Sequence, residues 1–183
     1  ESVAAFEKAV ALEPGNGRLY ILLGLAQRCL NLDGMALESF KAAIASGKHV
    51  DKGWHNIGLV HADAGRYEEA LRAFQQSLAI TPEYAKVHLS IGRMLFALDR
   101  SDAAIESIQK SIELRPELVQ SYVLLGEIHA SRGEYVDAIS VYGRASELAP
   151  KNHDVHARMG RVHLAAGQID AAKAECKYLQ DCG

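Results

Sequence analysis

Residues 51–84 read DKGWHNIGLVHADAGRYEEALRAFQQSLAITPEY, and the same design returns along the whole chain. Gly58 belongs to a row, Gly24, Gly58, Gly92, Gly126 and Gly160, spaced 34 residues apart. Ala70 belongs to another, Ala36, Ala70, Ala104, Ala138 and Ala172, always 12 residues after the glycine. Bulky apolar residues keep the register in Leu23, Ile57, Ile91, Leu125 and Met159, and again in Phe6, Phe40, Phe74, Ile108 and Tyr142. Pro82, Pro116 and Pro150 fall 24 residues after a glycine, Pro14 fits the same register, and Lys48 stands where the first full unit is due a proline. A period of this length marks stacked supersecondary units, none of which buries its apolar face alone. The units are 17–50, 51–84, 85–118, 119–152 and a truncated 153–183, and residues 1–16 are the second half of a preceding unit.

Each unit reads as helix, short turn, helix. Trp54, Ile57, His61 and Ala64 recur along one helical face, which predicts a helix over 54–64. Gly65-Arg66 ends it, and Gly133-Glu134 and Gly167-Gln168 repeat that turn. A second helix is predicted over 67–80, closed by Thr81-Pro82, because proline cannot continue a helix and biases its predecessor away from helical angles. No segment alternates like a strand between hairpin signals, so the chain is expected to be all α. Glycine inside a helix costs about 1 kcal/mol relative to alanine, so five in register need a packing reason. The expectation is that each glycine lets the second helix approach and that the matching alanine supplies the opposing small surface.

Composition narrows function. The 183 residues are 49 % apolar and 23 % charged, with 20 Lys plus Arg against 23 Asp plus Glu, a net charge of −3. That balance suits a folded domain and argues against nucleic-acid binding, which rests on clustered cations. No run approaches the roughly 18 apolar residues of a membrane span, so direct membrane insertion of this segment is not expected. Cys29, Cys176 and Cys182 are too few and too odd in number for a disulfide framework, and Cys176, in the place of the repeated aromatic, is expected to be a buried thiol.

Trp54, Ile57-Gly58, Tyr67, Ala70, Phe74 and Pro82 resemble the signature of the tetratricopeptide repeat (TPR) family, as do Tyr122, Leu125-Gly126, Tyr135, Ala138, Tyr142, Ala145 and Pro150. The chain departs from it at His88 and His156, at Ser101, and at the prolineless junction Ser46-Gly47-Lys48, which bears on the angle between the first two units. The resemblance covers essentially all residues. It implies a single solenoid domain over 1–183, a right-handed superhelix of antiparallel helix pairs with five units plus the N-terminal half unit. First helices would line a concave groove. It also implies a non-catalytic scaffold for protein–protein interaction, with a peptide or helix of a partner in that groove. A substrate-recruiting or regulatory domain of a larger enzyme and a self-assembling scaffold are the alternatives.

Mapped onto this sequence, the implied groove residues are Arg28, Lys52, His55, Asn56, Leu59, Lys86, Leu89, Arg93, Phe96, Gln120, Val123, Glu127, Arg158 and Arg161. Lys52, Lys86 and Arg93 are expected to meet carboxylates of a guest segment, and Leu59, Leu89 and Phe96 its apolar groups. The two-carboxylate clamp of chaperone-binding members is not expected, since Ile21, Leu25 and Ser90 replace its polar residues beside Asn56 and Lys86. Nor is the asparagine ladder of the O-linked N-acetylglucosamine transferases, because Leu22, Ser90, Leu124 and Arg158 flank Asn56 in register.

Other candidate chemistry is sparse. His61, His129 and His163 share one repeat position, too far apart to converge on one ion, and are expected to pack against neighbouring units. His153 and His156 lie three apart at a helix start with no evident third ligand. Gly15-Asn16-Gly17 lacks the preceding strand of a dinucleotide-binding turn. No nucleophile motif is recognisable, and no metal, cofactor or catalytic residue is expected. The chain opens inside a repeat, so it is expected to be part of a longer protein. Val3, Phe6 and Val10 would then present an uncovered apolar face, a route to self-association. Compartment is not legible.

Overall fold

The computed structural model describes residues 2–181. Eleven α-helices and no strand lie among the described residues. They are α1 (Ser2–Leu12), α2 (Gly17–Cys29), α3 (Asp33–Ala45), α4 (Val50–Asp63), α5 (Tyr67–Ile80), α6 (Ala85–Ala97), α7 (Ser101–Leu114), α8 (Val119–Ser131), α9 (Tyr135–Leu148), α10 (His153–Ala165) and α11 (Ile169–Asp181). None is long and apolar enough to cross a membrane.

The turn within each unit has a backbone requirement that explains its residues. Gly65, Gly133 and Gly167 adopt φ of +72°, +76° and +75°, and the residues in register with them, Asn31 and Asp99, both adopt +57°. Glycine, asparagine and aspartate are the residues that occupy this left-handed region at least cost. Asn16 and Asn152 cap the following first helices, each side chain accepting from a backbone N–H at 3.2 Å. The prolineless junction is built differently: Gly47 and His49 are both left-handed, at +72° and +58°. There α3 ends, and α4 begins, one residue earlier than their counterparts in register.

The chain forms two compact units, residues 1–98 and 99–183, which divide the third full repeat between α6 and α7. In the first, α2 packs on α3, α3 on α4, α4 on α5 and α5 on α6, while α2 touches α4 and α4 touches α6. Its core includes a cluster around Phe40, Ile57 and Val60 and another around Leu71, Phe74, Val87 and Met94. In the second unit α7 packs on α8, α8 on α9, α9 on α10 and α10 on α11, with Tyr142, Val155 and Val162 at its centre.

The periodic glycines do make room for the second helix, but an aromatic ring rather than the alanine fills it. A methyl at Gly24, Gly58 or Gly126 would sit 2.5, 2.4 or 2.7 Å from a ring atom of Phe40, Phe74 or Tyr142. The alanines Ala36, Ala70 and Ala138 are wholly buried beside those rings. Gly160 differs: its nearest such neighbour is Glu175 Cβ at 3.4 Å. The aromatic's place is held by Cys176, which is exposed, correcting the expectation of a buried thiol. Of the α11 residues only Ala172 is buried. Cys182 lies outside the described residues. At the other end, α1 has no fully buried residue; Val3, Phe6 and Val10 are half-buried and Leu12 is 84 % exposed.

Candidate functional site

In the first unit, α2, α4 and α6 present one continuous face. Arg28 Nε on α2 meets Asp63 Oδ2 on α4 at 3.0 Å, and His55 Nε2 on α4 lies 3.4 Å from Ser90 Oγ on α6. Arg18, Lys52 and Lys86 occupy one repeat position on these three helices, and all are exposed. Exposed Arg93 and half-buried Leu59 and Phe96 complete the accessible part of the predicted site.

Three predicted residues are not accessible. His55, Asn56 and Leu89 are 9 %, 7 % and 8 % exposed and serve the packing, which corrects their assignment as free groove contacts. Asn56 turns its amide back onto its own helix, donating to Lys52 O at 2.8 Å. The His55 ring lies between those of Phe74 and Tyr84, with centroids 5.7 and 5.3 Å away. Burial, then the positive charges of Lys86 and Arg28, push its pKa down to about 4; Asp51 opposes them weakly.

The electrostatics of the face follow from which cations are already paired. Lys41 and Arg72, on second helices, each meet a glutamate three residues earlier, at 2.8 and 3.5 Å. Arg28 is held by Asp63. Among the described residues, no carboxylate lies within ion-pair distance of Arg18, Lys52, Lys86 or Arg93. Asp51, the acid beside Lys52 in sequence, accepts instead from Thr81 Oγ1 at 3.3 Å. Arg18 was not among the predicted site residues, although its register with Lys52 and Lys86 marks it.

In the second unit, Gln120, Glu127 and Arg161 are exposed and Val123 and Arg158 half-buried on α8 and α10. Arg158 is committed within the fold. Its Nε donates to Asp154 Oδ2 at 2.8 Å and its Nη1 lies 3.4 Å from Glu127 Oε2; the Asp154 bond raises its pKa further. Arg161 carries no such pair among the described residues, and the two arginines line an open pocket of about 490 Å³ with Glu127, Tyr135 and Tyr142.

The shared-position histidines each hydrogen-bond across the turn of their own unit, and His61 also feels the charge of Lys41 on the neighbouring unit. His61 Nδ1 accepts from Arg66 Nε at 3.0 Å, His129 Nδ1 bonds Glu134 Oε2 at 2.6 Å, and His163 Nδ1 bonds Gln168 Oε1 at 2.7 Å. Each reaches five residues ahead, across the left-handed turn. His129, Glu134 and Asp137 bring three ligand atoms within 4.8 Å of one another. Yet Glu134 Oε1 is also held by Arg132 Nε at 2.8 Å, and that guanidinium opposes a bound cation. The His129 hydrogen bond, with help from Arg132, holds the Glu134 carboxyl below the usual carboxylate range. His156 is engaged too, by Glu175 at 2.7 Å, by Pro150 O at 3.0 Å and by the Tyr178 ring with centroids 4.1 Å apart.

Comparisons with known proteins agree with this geometry. Tetratricopeptide repeat family models match residues 49–117, 95–153 and 129–180. No curated protein sequence matches the chain. A thermophilic TPR protein of Thermus thermophilus is 25 % identical, with 88 % of this chain and 89 % of that one covered and a TM-score of 0.76. The PilF protein of Pseudomonas aeruginosa is 20 % identical, with 96 % and 80 % covered and a TM-score of 0.80. YrrB, described as a TPR protein with an unusual peptide-binding site, is 20 % identical, with 97 % and 92 % covered and a TM-score of 0.69.

Proposed function

The chain belongs to the tetratricopeptide-repeat family, and on that premise we propose that it is a non-catalytic scaffold whose shared face of α2, α4 and α6 binds an acidic segment of another protein. The observation that carries this reading is the set of first-helix cations, Arg18, Lys52, Lys86 and Arg93, without an anionic partner beside the paired cations Lys41 and Arg72. A row of cations left open on one face repels itself, and a guest carboxylate relieves that repulsion while adding charge-assisted hydrogen bonds. Leu59 and Phe96 supply apolar contact, the aromatic being the stronger anchor type. Packed helices lie roughly 8–10 Å apart and an extended chain advances about 3.3 Å per residue, so acids near every third position would meet successive rungs.

Selection of displayed random dodecapeptides on the immobilised chain tests this. Recovered sequences are expected to carry Asp or Glu at that spacing with apolar residues between them. The double variant Lys86→Glu/Arg93→Glu should weaken their binding at least tenfold, since one charged hydrogen bond contributes about 1.5–3 kcal/mol. Recovered peptides that bind the double variant as tightly as the unaltered chain would remove this face as the binding surface.

A further inference from the structure

The prolineless junction shapes a second feature of the first unit. Its left-handed residue His49 precedes α4, and with Arg18, Ile21 and Leu22 of α2 and Lys52 of α4 it lines an open pocket of about 400 Å³. Two formal cations and an imidazole therefore share one concavity, with two aliphatic side chains beside them and no acid in its lining. The two carboxylates nearest in sequence are turned to other partners. Asp51 accepts from Thr81 Oγ1 at 3.3 Å, and Glu13 Oε2 accepts from Asn16 Nδ2 at 2.8 Å.

Charge stoichiometry selects the ligand. Where this chain binds a single carboxylate across helices it uses one guanidinium, as Arg28 does for Asp63. A site with both Arg18 and Lys52 is over-supplied for a monoanion and matched to a dianion. A phosphate monoester carries about −1.5 to −2 charges at neutral pH and several acceptor oxygens, enough for a guanidinium, an ammonium and an imidazole together. We propose that this pocket binds a phosphorylated serine or threonine of the partner segment. The proposal rests on the protein-binding reading of the shared face, because Lys52 belongs to both, and it adds that phosphorylation of the partner strengthens the complex.

The full chain is titrated calorimetrically with inorganic phosphate, N-acetyl-phosphoserine amide, N-acetyl-serine amide and acetate. A peptide selected on the shared face is then titrated with serine or phosphoserine added at either end. Phosphoserine at one end is expected to tighten binding roughly tenfold or more over serine, with amide shifts at Leu22 and His49 in NMR spectra. Arg18→Gln and Lys52→Gln, both at exposed positions, should each abolish that increment, while Lys41→Gln, an equal loss of charge on a second helix, should keep it. No increment, or one that survives both pocket variants, overturns the proposal. So does inorganic phosphate binding as tightly as the phosphoserine amide, which assigns the pocket to the free ion. Selected peptides that bind through Lys86 and Arg93 with no phosphate increment sink the pocket alone. Pocket-dependent binding of the phosphoserine amide, with no peptide bound by the shared face, sinks the face alone.

Discussion

Replacing periodic glycines one at a time separates packing from helix propensity, because two positions in the same register predict opposite signs. At Gly58 an added methyl would stand 2.4, 2.5 and 2.9 Å from three ring atoms of Phe74. Ordinary carbon contacts are about 3.5–4.0 Å, so the ring or the helix must retreat by roughly 1 Å. Phe74 is fully buried against Leu71, Val87 and Met94 and has nowhere to go. Overpacking of this kind costs about 1–3 kcal/mol, and three crowded atoms place it at the upper end. The gain in helix propensity returns about 1 kcal/mol, leaving Gly58→Ala destabilised by roughly 2 kcal/mol. At Gly160 the nearest atom is Glu175 Cβ at 3.4 Å, so most of the propensity gain survives and Gly160→Ala is stabilised by roughly 0.5–1 kcal/mol. Urea denaturation followed by circular dichroism reads the difference. Hydrogen exchange in α4–α5 and α10–α11 localises it, since stacked repeats transmit a defect mainly to their neighbours. Adding Phe74→Leu to Gly58→Ala should restore part of the loss through a non-additive coupling. Shifts of the same sign at both glycines, or no coupling to Phe74, would refute the ring-in-glycine account.

Further outcomes follow from the polar groups. His55 has a folded pKa near 4 against an unfolded value near 6.5, so its contribution is complete above the higher value and is lost as pH falls through that window. The loss is about 3 kcal/mol, and His55→Phe should flatten that part of the stability profile measured by urea titration at successive pH values. The Glu134 carboxyl should titrate below its ordinary range in carbon-13 NMR and move back up in His129→Phe, because the His129 hydrogen bond is the principal cause of the shift. Cys29 and Cys176 are both exposed and should react with a disulfide reagent in the native protein, before any denaturant is added. Protection of Cys176 equal to that of a core thiol would contradict its placement on α11.

The repeat itself and the helix-turn-helix reading were legible because they depend on local chemistry; α5 lies over 67–80 as expected, whereas α4 begins at Val50 and not at residue 54. Proline excludes helix, glycine and its substitutes Asn31 and Asp99 accept a left-handed turn, and a single period places each residue type in equivalent surroundings. That same equivalence misled where surroundings differ between units. His55, Asn56 and Leu89 hold positions that the family exposes, yet here rings, a backbone carbonyl and the neighbouring helix cover them. Cys176 inherits an aromatic's position but is exposed, on a helix where only Ala172 is buried. The histidines at one shared place also found hydrogen-bond partners across the turn, five residues on, which the repeat spacing did not point to.

Sequence alone therefore determined what is periodic: the helix pairs, the rows of glycine, alanine and bulky residue, and the family, while packing decided that a ring and not the alanine meets the glycine. Tertiary structure alone decided which cations are spent. Whether Arg28 faces Asp63, or Asp51 turns to Thr81 and leaves Lys52 open, depends on side chains that meet across helices many residues apart. Pairing at a distance follows from packing and not from propensity, and in this chain that pairing separates the cations already neutralised from those on which the proposed binding face relies.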